Sequence, residues 1–184
     1  MQYIGIYLGA NPGNCSALTQ TVTVLGEQMA KAGYGLVYGG SSQGLMGLLA
    51  ESVLSHGGKA KGIITEQLIP QEKPLAKLDE LIVVDSMQER KLLMQQHSQA
   101  FMVLPGGLGT LEEAFETWNA IKIGILDKPI GFLNVEGYFD GLFTFISGCV
   151  TRGFLTAKQA RIPEISADTQ LLLDSLMLSE EIIS

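Results

Sequence analysis

The sequence predicts an α/β fold: one domain over residues 1–184, built as a doubly wound, mainly parallel sheet with helices on both faces. Three observations predict it. Short runs of Ile, Val, Leu and aromatic residues recur without polar alternation, as in parallel strands buried on both faces. Between them, apolar residues return at helical spacing, the mark of helices with one buried face. The 22 glycines gather at the ends of the apolar runs instead of spreading into a linker, so they punctuate strand–helix junctions.

In chain order, Tyr3–Leu8 is the first strand and Ser16–Ala32 the first helix. Leu36–Tyr38 follows as a strand, then a helix over Leu45–His56 that Gly57 and Gly58 stop. After the strand Gly62–Ile64, the segment Thr65–Asp79 carries Pro70 and Pro74 and reads as the longest irregular connection, either a binding loop or a solvated surface loop. Leu81–Val84 is a strand, and Ser86 with Glu89 fits a capping box that opens a helix over Met87–His97. Phe101–Leu104 leads to a helix over Leu111–Ile121, where Thr110 and Glu113 fit a second capping box. Ile130–Leu133 is the last strand the apolar runs reveal, followed by a helix over Phe139–Arg152. From Ala167 onward a final amphipathic helix packs through Leu171, Leu172, Leu173, Leu176 and Met177.

Of the 184 residues, 46% are hydrophobic and 17% charged, the mix of a soluble globular chain with a sizeable core. Twelve basic against 19 acidic residues leave a net charge of −7, which argues against a nucleic-acid partner because phosphate backbones demand basic surface. Cys15 and Cys149 are too few for a disulfide framework or a zinc ribbon and fit a reducing cytoplasm. No basic leader opens the sequence and no apolar run is long enough to span a bilayer, so a cytoplasmic protein without a membrane partner is expected. His56 and His97 have no ligand-like spacing, and no metal is implied.

Two strand–loop–helix junctions carry the chemical signal: Gly39-Gly40-Ser41-Ser42-Gln43-Gly44-Leu45-Met46-Gly47 and Pro105-Gly106-Gly107-Leu108-Gly109-Thr110. Both fall where an open α/β sheet binds its ligand, beyond the carboxyl ends of the strands. Glycines there let backbone N–H groups approach an anion, and the following helix adds the positive end of its dipole. The bland alternative is that they only permit tight turns and close packing. Neither loop continues into Gly-Lys-Ser/Thr, which removes the P-loop reading, and Gly9-Ala10-Asn11-Pro12-Gly13 lacks the G-x-G-x-x-G of a dinucleotide site. A single phosphate on a mononucleotide fits better. Glu112, Glu113 and Glu116 open one helix, and Arg90 and Lys91 open the helix before it, so a doubly wound sheet gathers them at one edge. A carboxylate kept beside a phosphate would serve to orient a ribose, activate water or stabilise a cationic transition state. Spacing alone leaves the alternatives that Glu113 only completes a capping box and that Arg90 is solvated.

Pro105-Gly106-Gly107-Leu108-Gly109-Thr110-Leu111-Glu112-Glu113 resembles the PGGxGTxxE signature of the Lonely Guy (LOG) family, and Met87-Gln88-Glu89-Arg90-Lys91 resembles its MHxRK segment. Gly39–Gly47 is similar to GGGxxGLMG, and Asp127-Lys128-Pro129-Ile130 with Leu133–Phe139 is similar to DKPxxLLNxxGYY. Ordered motifs from about Gly5 to Gly153 make this far more specific than one glycine loop. The resemblance implies a modified Rossmann fold, a homodimer without a cofactor, and hydrolysis of the N-glycosidic bond of a cytokinin nucleoside 5′-monophosphate or AMP to free base and ribose 5-phosphate. It implies catalytic positions at Arg90 and Glu113. Gly106, Gly107, Gly109 and Thr110 would line the phosphate site, with further substrate positions at Glu72, Lys91, Glu112, Glu116, Asn119, Gly40, Ser41 and Gly44.

The sequence departs from the family pattern at Gln88 and Glu89, at Ser41 in place of the third glycine, and at Asn119 where threonine is usual. Two other classes would use the same residues: a nucleotide-binding regulatory protein without chemistry, and a phosphoribosyl transferase with an acceptor other than water. The name lysine decarboxylase, also attached to this family, has little physical support, because that reaction ordinarily needs a Schiff-base lysine and pyridoxal phosphate.

Overall fold

The computed structural model describes residues 1–178, and within them seven strands form one sheet. They are β1 (Tyr3–Tyr7), β2 (Gly35–Tyr38), β3 (Ala60–Thr65), β4 (Glu80–Val84), β5 (Ala100–Val103), β6 (Ile130–Leu133) and β7 (Glu164–Ser166). Their spatial order is β4-β3-β2-β1-β5-β6-β7, and every neighbouring pair is parallel. Six of them follow the apolar runs. The seventh, Glu164-Ile165-Ser166, holds one apolar residue and sits at an edge beside β6, so it left no run to detect.

Among the described residues seven helices lie between the strands and an eighth follows β7: α1 (Ser16–Lys31), α2 (Gly44–Ser55), α3 (Ile69–Glu72), α4 (Met87–His97), α5 (Leu108–Lys122), α6 (Asp140–Thr151), α7 (Ala157–Ala160) and α8 (Thr169–Leu178). The final helix expected from Ala167 starts at Thr169, and its expected continuation beyond residue 178 lies outside the described residues. Its Leu172, Leu173, Leu176 and Met177 are buried as the pattern requires, while Leu171 is exposed.

Strand alternation sorts the core into two layers. On one face Ile4, Ile6 and Leu8 meet Leu18, Val22 and Leu25 of α1, Leu49 and Val53 of α2, and Leu172 and Leu176 of α8. On the other, Tyr7, Val37, Ile63 and Phe101 meet Met94 of α4, Trp118 of α5 and Ile146 of α6. Each such buried Leu, Val or Phe contributes about 1.5–3 kcal/mol relative to exposure, so both layers hold the sheet firmly.

Two expectations change. The segment Thr65–Asp79 is not wholly irregular: a 3₁₀ turn over Glu66–Leu68 runs into α3, with Pro70 in its first turn, where the missing N–H is not needed. The capping box at Thr110 and Glu113 does not form, because α5 begins earlier, at Leu108 after Gly107, and no side chain caps it. Glu113 is thereby released for another role. At α4 half of the expected box forms: Ser86 accepts the Glu89 N–H at 3.2 Å, while the Glu89 carboxylate takes the N–H of Asp85. Among the described residues, no helix is long and apolar enough to cross a membrane.

The topology fixes where a ligand enters. From β1 the chain winds outward through β2, β3 and β4, then returns to place β5 on the other side of β1. The loops leaving β1 and β5 therefore part in opposite directions, and the crevice between them is the switch point of the sheet.

Candidate active site

A cavity of about 460 Å³ opens at that switch point. Gly9, Ala10, Asn11 and Gly13 after β1 form one rim, and Pro105, Gly106, Gly107, Gly109 and Thr110 after β5 form the other. Gly9 N–H donates to the Pro105 carbonyl at 3.2 Å and pins the two loops together. The uncapped start of α5 lies in this wall, so its first-turn N–H groups and the positive end of its dipole stay available to an anion. Tyr138, also in the wall, donates its hydroxyl to the Gly106 carbonyl at 2.7 Å and fixes the glycine loop.

Arg90 rises from the first turn of α4 into the floor of the cavity and is only 3% exposed. It is therefore not the solvated first-turn residue that spacing allowed. Its Nε donates to Ile63 O at 2.9 Å and its Nη2 to Gly39 O at 3.1 Å, leaving the remaining guanidinium charge for carboxylates. Gly39 is what permits this: a Cβ there would stand 2.1 Å from Nη2. The first glycine of the loop after β2 thus makes room for a guanidinium.

Two carboxyl groups share that one cation in the cavity lining. Glu113 is 8% exposed, and burial pushes its pKa up to about 7; Arg90 pulls it down, while Glu112 and Glu72 push it further up. Glu72, at the end of α3, stands 3.7 Å from Arg90 Nη2 through Oε2. Burial raises its pKa too, with Arg90 opposing, and its Oε2 is buried without a hydrogen-bond partner among the described residues. One guanidinium cannot fully offset two carboxylates, so near neutral pH this site holds an exchangeable proton.

The other residues singled out in the sequence divide around this centre. Glu112 lines the cavity, and Lys91 pairs with it at 2.8 Å and with Glu116. These hydrogen bonds hold the Lys91 pKa up, fixing its charge. Lys91 and Glu116 do not line the cavity, nor do Gly40, Ser41 and Gly44. Gly44 has φ +53°, and a Cβ there would meet Ala10 O at 1.7 Å, so it lets the loop after β2 close against the loop after β1. Asn119 lies elsewhere, in a hollow of about 100 Å³ with Phe115, Trp118, Lys122, Ile146 and Leu155.

Sequence reasoning missed the apolar wall of Leu8, Leu18, Leu45, Met46, Leu68 and Met87. Leu45 and Met46 follow directly on Gly44, so the loop read as a phosphate cradle supplies apolar surface to the cavity instead. Among the described residues, no group of three or more His, Cys, Asp or Glu side chains could hold a metal ion.

A parallel sheet with a mainly apolar cavity at its switch point, lined also by a buried guanidinium and two carboxyl groups coupled to it, defines a Rossmann-like small-molecule site equipped for acid–base work. The family model described as "Possible lysine decarboxylase" matches residues 46–176. The cytokinin riboside 5′-monophosphate phosphoribohydrolase LOG1 of Arabidopsis thaliana is 40% identical over 159 residues, 86% of this chain and 75% of its own. The probable enzyme of the same name, LOGL1 of rice (Oryza sativa subsp. japonica), is 42% identical over 161 residues, 86% of this chain and 71% of its own. The chain belongs to this family, the LOG family. Among solved structures, the molybdenum cofactor (Moco) carrier protein of Chlamydomonas reinhardtii matches with a TM-score of 0.72 at 20% identity, over 97% of this chain and 98% of that one. The molybdenum cofactor binding protein of Rippkaea orientalis matches with a TM-score of 0.68 at 21% identity, over 100% of this chain and 98% of that one. These two share the fold.

Proposed function

We propose that the protein hydrolyses the N-glycosidic bond of a purine nucleoside 5′-monophosphate, AMP or an N6-modified AMP such as isopentenyl-AMP, to free base and ribose 5-phosphate. The observation that carries the proposal is that Arg90 and Glu113, both buried and electrostatically coupled, line one cavity beside the uncapped start of α5. The phosphate binds the N–H groups of that first turn, at Gly107, Gly109 and Thr110, and this binding energy holds the distant C1′ near Glu113. As the C1′–N bond breaks, positive charge develops on the sugar, and ionised Glu113 stabilises it. Glu113 then takes a proton from the water whose oxygen bonds to C1′, and a pKa near 7 lets it return that proton to the departing base. Arg90 keeps enough of Glu113 ionised for this, and the unpartnered Oε2 of Glu72 accepts a ribose hydroxyl. The apolar wall of Met46, Leu68 and Met87 suits a base.

Decarboxylation of lysine fits less well. It would call for an unprotonated lysine ready to form a Schiff base, whereas Lys91 is held protonated by Glu112 and Glu116. The protein is incubated with AMP and with isopentenyl-AMP, with Glu113→Ala and Arg90→Ala in parallel, and the products are separated chromatographically. Base release that vanishes in both variants supports the reading; nucleotide binding without release by the unaltered protein removes it in favour of a sensor.

We also infer a homodimer. Phe115, Phe145 and Phe154 are exposed on α5, on α6 and just after it, aromatic surface that a second copy of the chain would cover. Phe145→Glu is expected to halve the mass seen by light scattering; an unchanged mass removes this surface as the contact.

A further inference from the structure

The loop after β2 grips the segment that carries Glu72 through a set of hydrogen bonds on which the proposed reaction does not draw. Ser41 is fully buried, and its hydroxyl donates to the Glu72 carbonyl at 2.9 Å while accepting the Gln43 N–H at 3.1 Å. Around it Ser42 N–H donates to Lys73 O at 2.9 Å, Leu75 N–H to Gly40 O at 3.1 Å, and the Gln43 side chain to Gln71 O at 2.9 Å. Ser41 and Pro74 form an isolated antiparallel bridge. Just past Glu72, Lys73 adopts φ +44°, a left-handed turn that a non-glycine residue holds only when its surroundings impose it.

The same short loop holds the other partner, since Gly39 O accepts from Arg90 Nη2. Residues 39–41 therefore set Arg90 at one end and Glu72 at the other. The 3.7 Å between Glu72 Oε2 and Nη2 has no direct hydrogen bond to maintain it, so the backbone clasp must do so. Where the LOG motif has a third glycine, this chain has a hydroxyl, and that hydroxyl is the only side-chain atom of residue 41 able to make the bond to Glu72.

We propose that Ser41 is a positioning residue: its buried hydroxyl holds the Glu72 carboxylate at the cavity, opposite Arg90, where it receives a sugar hydroxyl of the bound nucleotide. The proposal rests on the nucleotide reading above. It makes the effects of Ser41 and Glu72 non-additive, because removing the Ser41 hydroxyl weakens ligand binding chiefly through the Glu72 side chain, the one its bond to Glu72 O positions.

The test is a double-mutant cycle of the unaltered protein, Ser41→Ala, Glu72→Gln and the double variant, with AMP as ligand. Base release gives kcat and KM, calorimetry gives the AMP Kd, and thermal melts report folding. A lost hydrogen bond of this kind corresponds to about a 3- to 10-fold change, so Ser41→Ala is expected to lower kcat/KM by that factor. In the Glu72→Gln background the same substitution is expected to change kcat/KM less than about 2-fold. Ser41→Cys, with a weaker donor of similar size, is expected to fall between serine and alanine, and it carries the cycle if the alanine variant does not fold. Full multiplication of the two losses, or a Ser41→Ala protein with unchanged constants, overturns the proposal. Should the unaltered protein bind AMP but release no base, the Kd values complete the cycle: coupling there keeps the clasp and discards the hydrolase, and additivity discards both. No AMP binding at all also discards both.

Discussion

Replacing Glu113 with glutamine should remove the reaction and make the protein more stable, but only at neutral and higher pH. In the unfolded chain the Glu113 carboxyl titrates near 4.5, and in the folded protein burial outweighs Arg90 and moves it to about 7. Between these values the unfolded state has released the proton and the folded state has kept it, so stability falls as pH rises through this window and stays level above it. At 1.36 kcal/mol for each pH step, the full penalty is about 3 kcal/mol at pH 8 and less than about 1 kcal/mol at pH 5. Glutamine mimics the protonated form at every pH and carries no such penalty. Thermal melts of Glu113→Gln and the unaltered protein are therefore expected to differ by roughly 6–12 °C at pH 8 in favour of glutamine, and to nearly coincide at pH 5. Base release should fall at least about 100-fold in the variant, the ordinary contribution of a general base. A variant equally displaced at both pH values, or less stable at pH 8, would refute a carboxyl that is both buried and forced to ionise.

The same titration predicts that kcat/KM of the unaltered protein rises with pH through about 7 and then levels, a curve measured by base release under constant ionic strength; a flat profile from pH 5 to 9 contradicts it. Gly39→Ala places a Cβ 2.1 Å from Arg90 Nη2 and should lower kcat at least about 10-fold together with the melting temperature, read by kinetics and calorimetry. Lys91→Met removes the cation that offsets Glu112 at the cavity edge and Glu116, so KM for the nucleotide should rise roughly 5- to 10-fold, most strongly at low salt. Because those two carboxylates are 58% and 45% exposed, the same change should move stability by less than about 1 kcal/mol.

The sheet was legible because β1, β2, β3, β5 and β6 are buried strands of a parallel sheet and are apolar on both faces, while β4, an exposed edge strand, still carries the apolar run Leu81–Val84. β7 was not: an exposed edge strand of three residues needs no apolar pattern to pair with β6. α3 escaped for a related reason, since Pro70 marks a loop as readily as a helical first turn. Arg90, Glu72 and Glu113 were named through their motifs, and the fold brings them together at one cavity. Spacing could not reveal that Glu113 is buried inside α5 instead of capping it, because the start of α5 is set by the Pro105–Gly107 turn and not by Thr110. Nor could it separate the two glycine loops. Gly107 and Gly109 line the cavity with open space where a Cβ would stand, whereas a Cβ at Gly39 would meet a guanidinium and one at Gly44 a neighbouring carbonyl, and in the sequence all four are simply glycine.

The most direct measurement is a product balance with AMP and isopentenyl-AMP in water alone, with neither pyrophosphate nor any acceptor added. Glycosidic hydrolysis through Glu113 predicts free base and ribose 5-phosphate in equal amounts, from at least one of the two nucleotides, and release of both at least about 100-fold slower from Glu113→Gln. Release that requires an added acceptor, or equal release by Glu113→Gln, would contradict it.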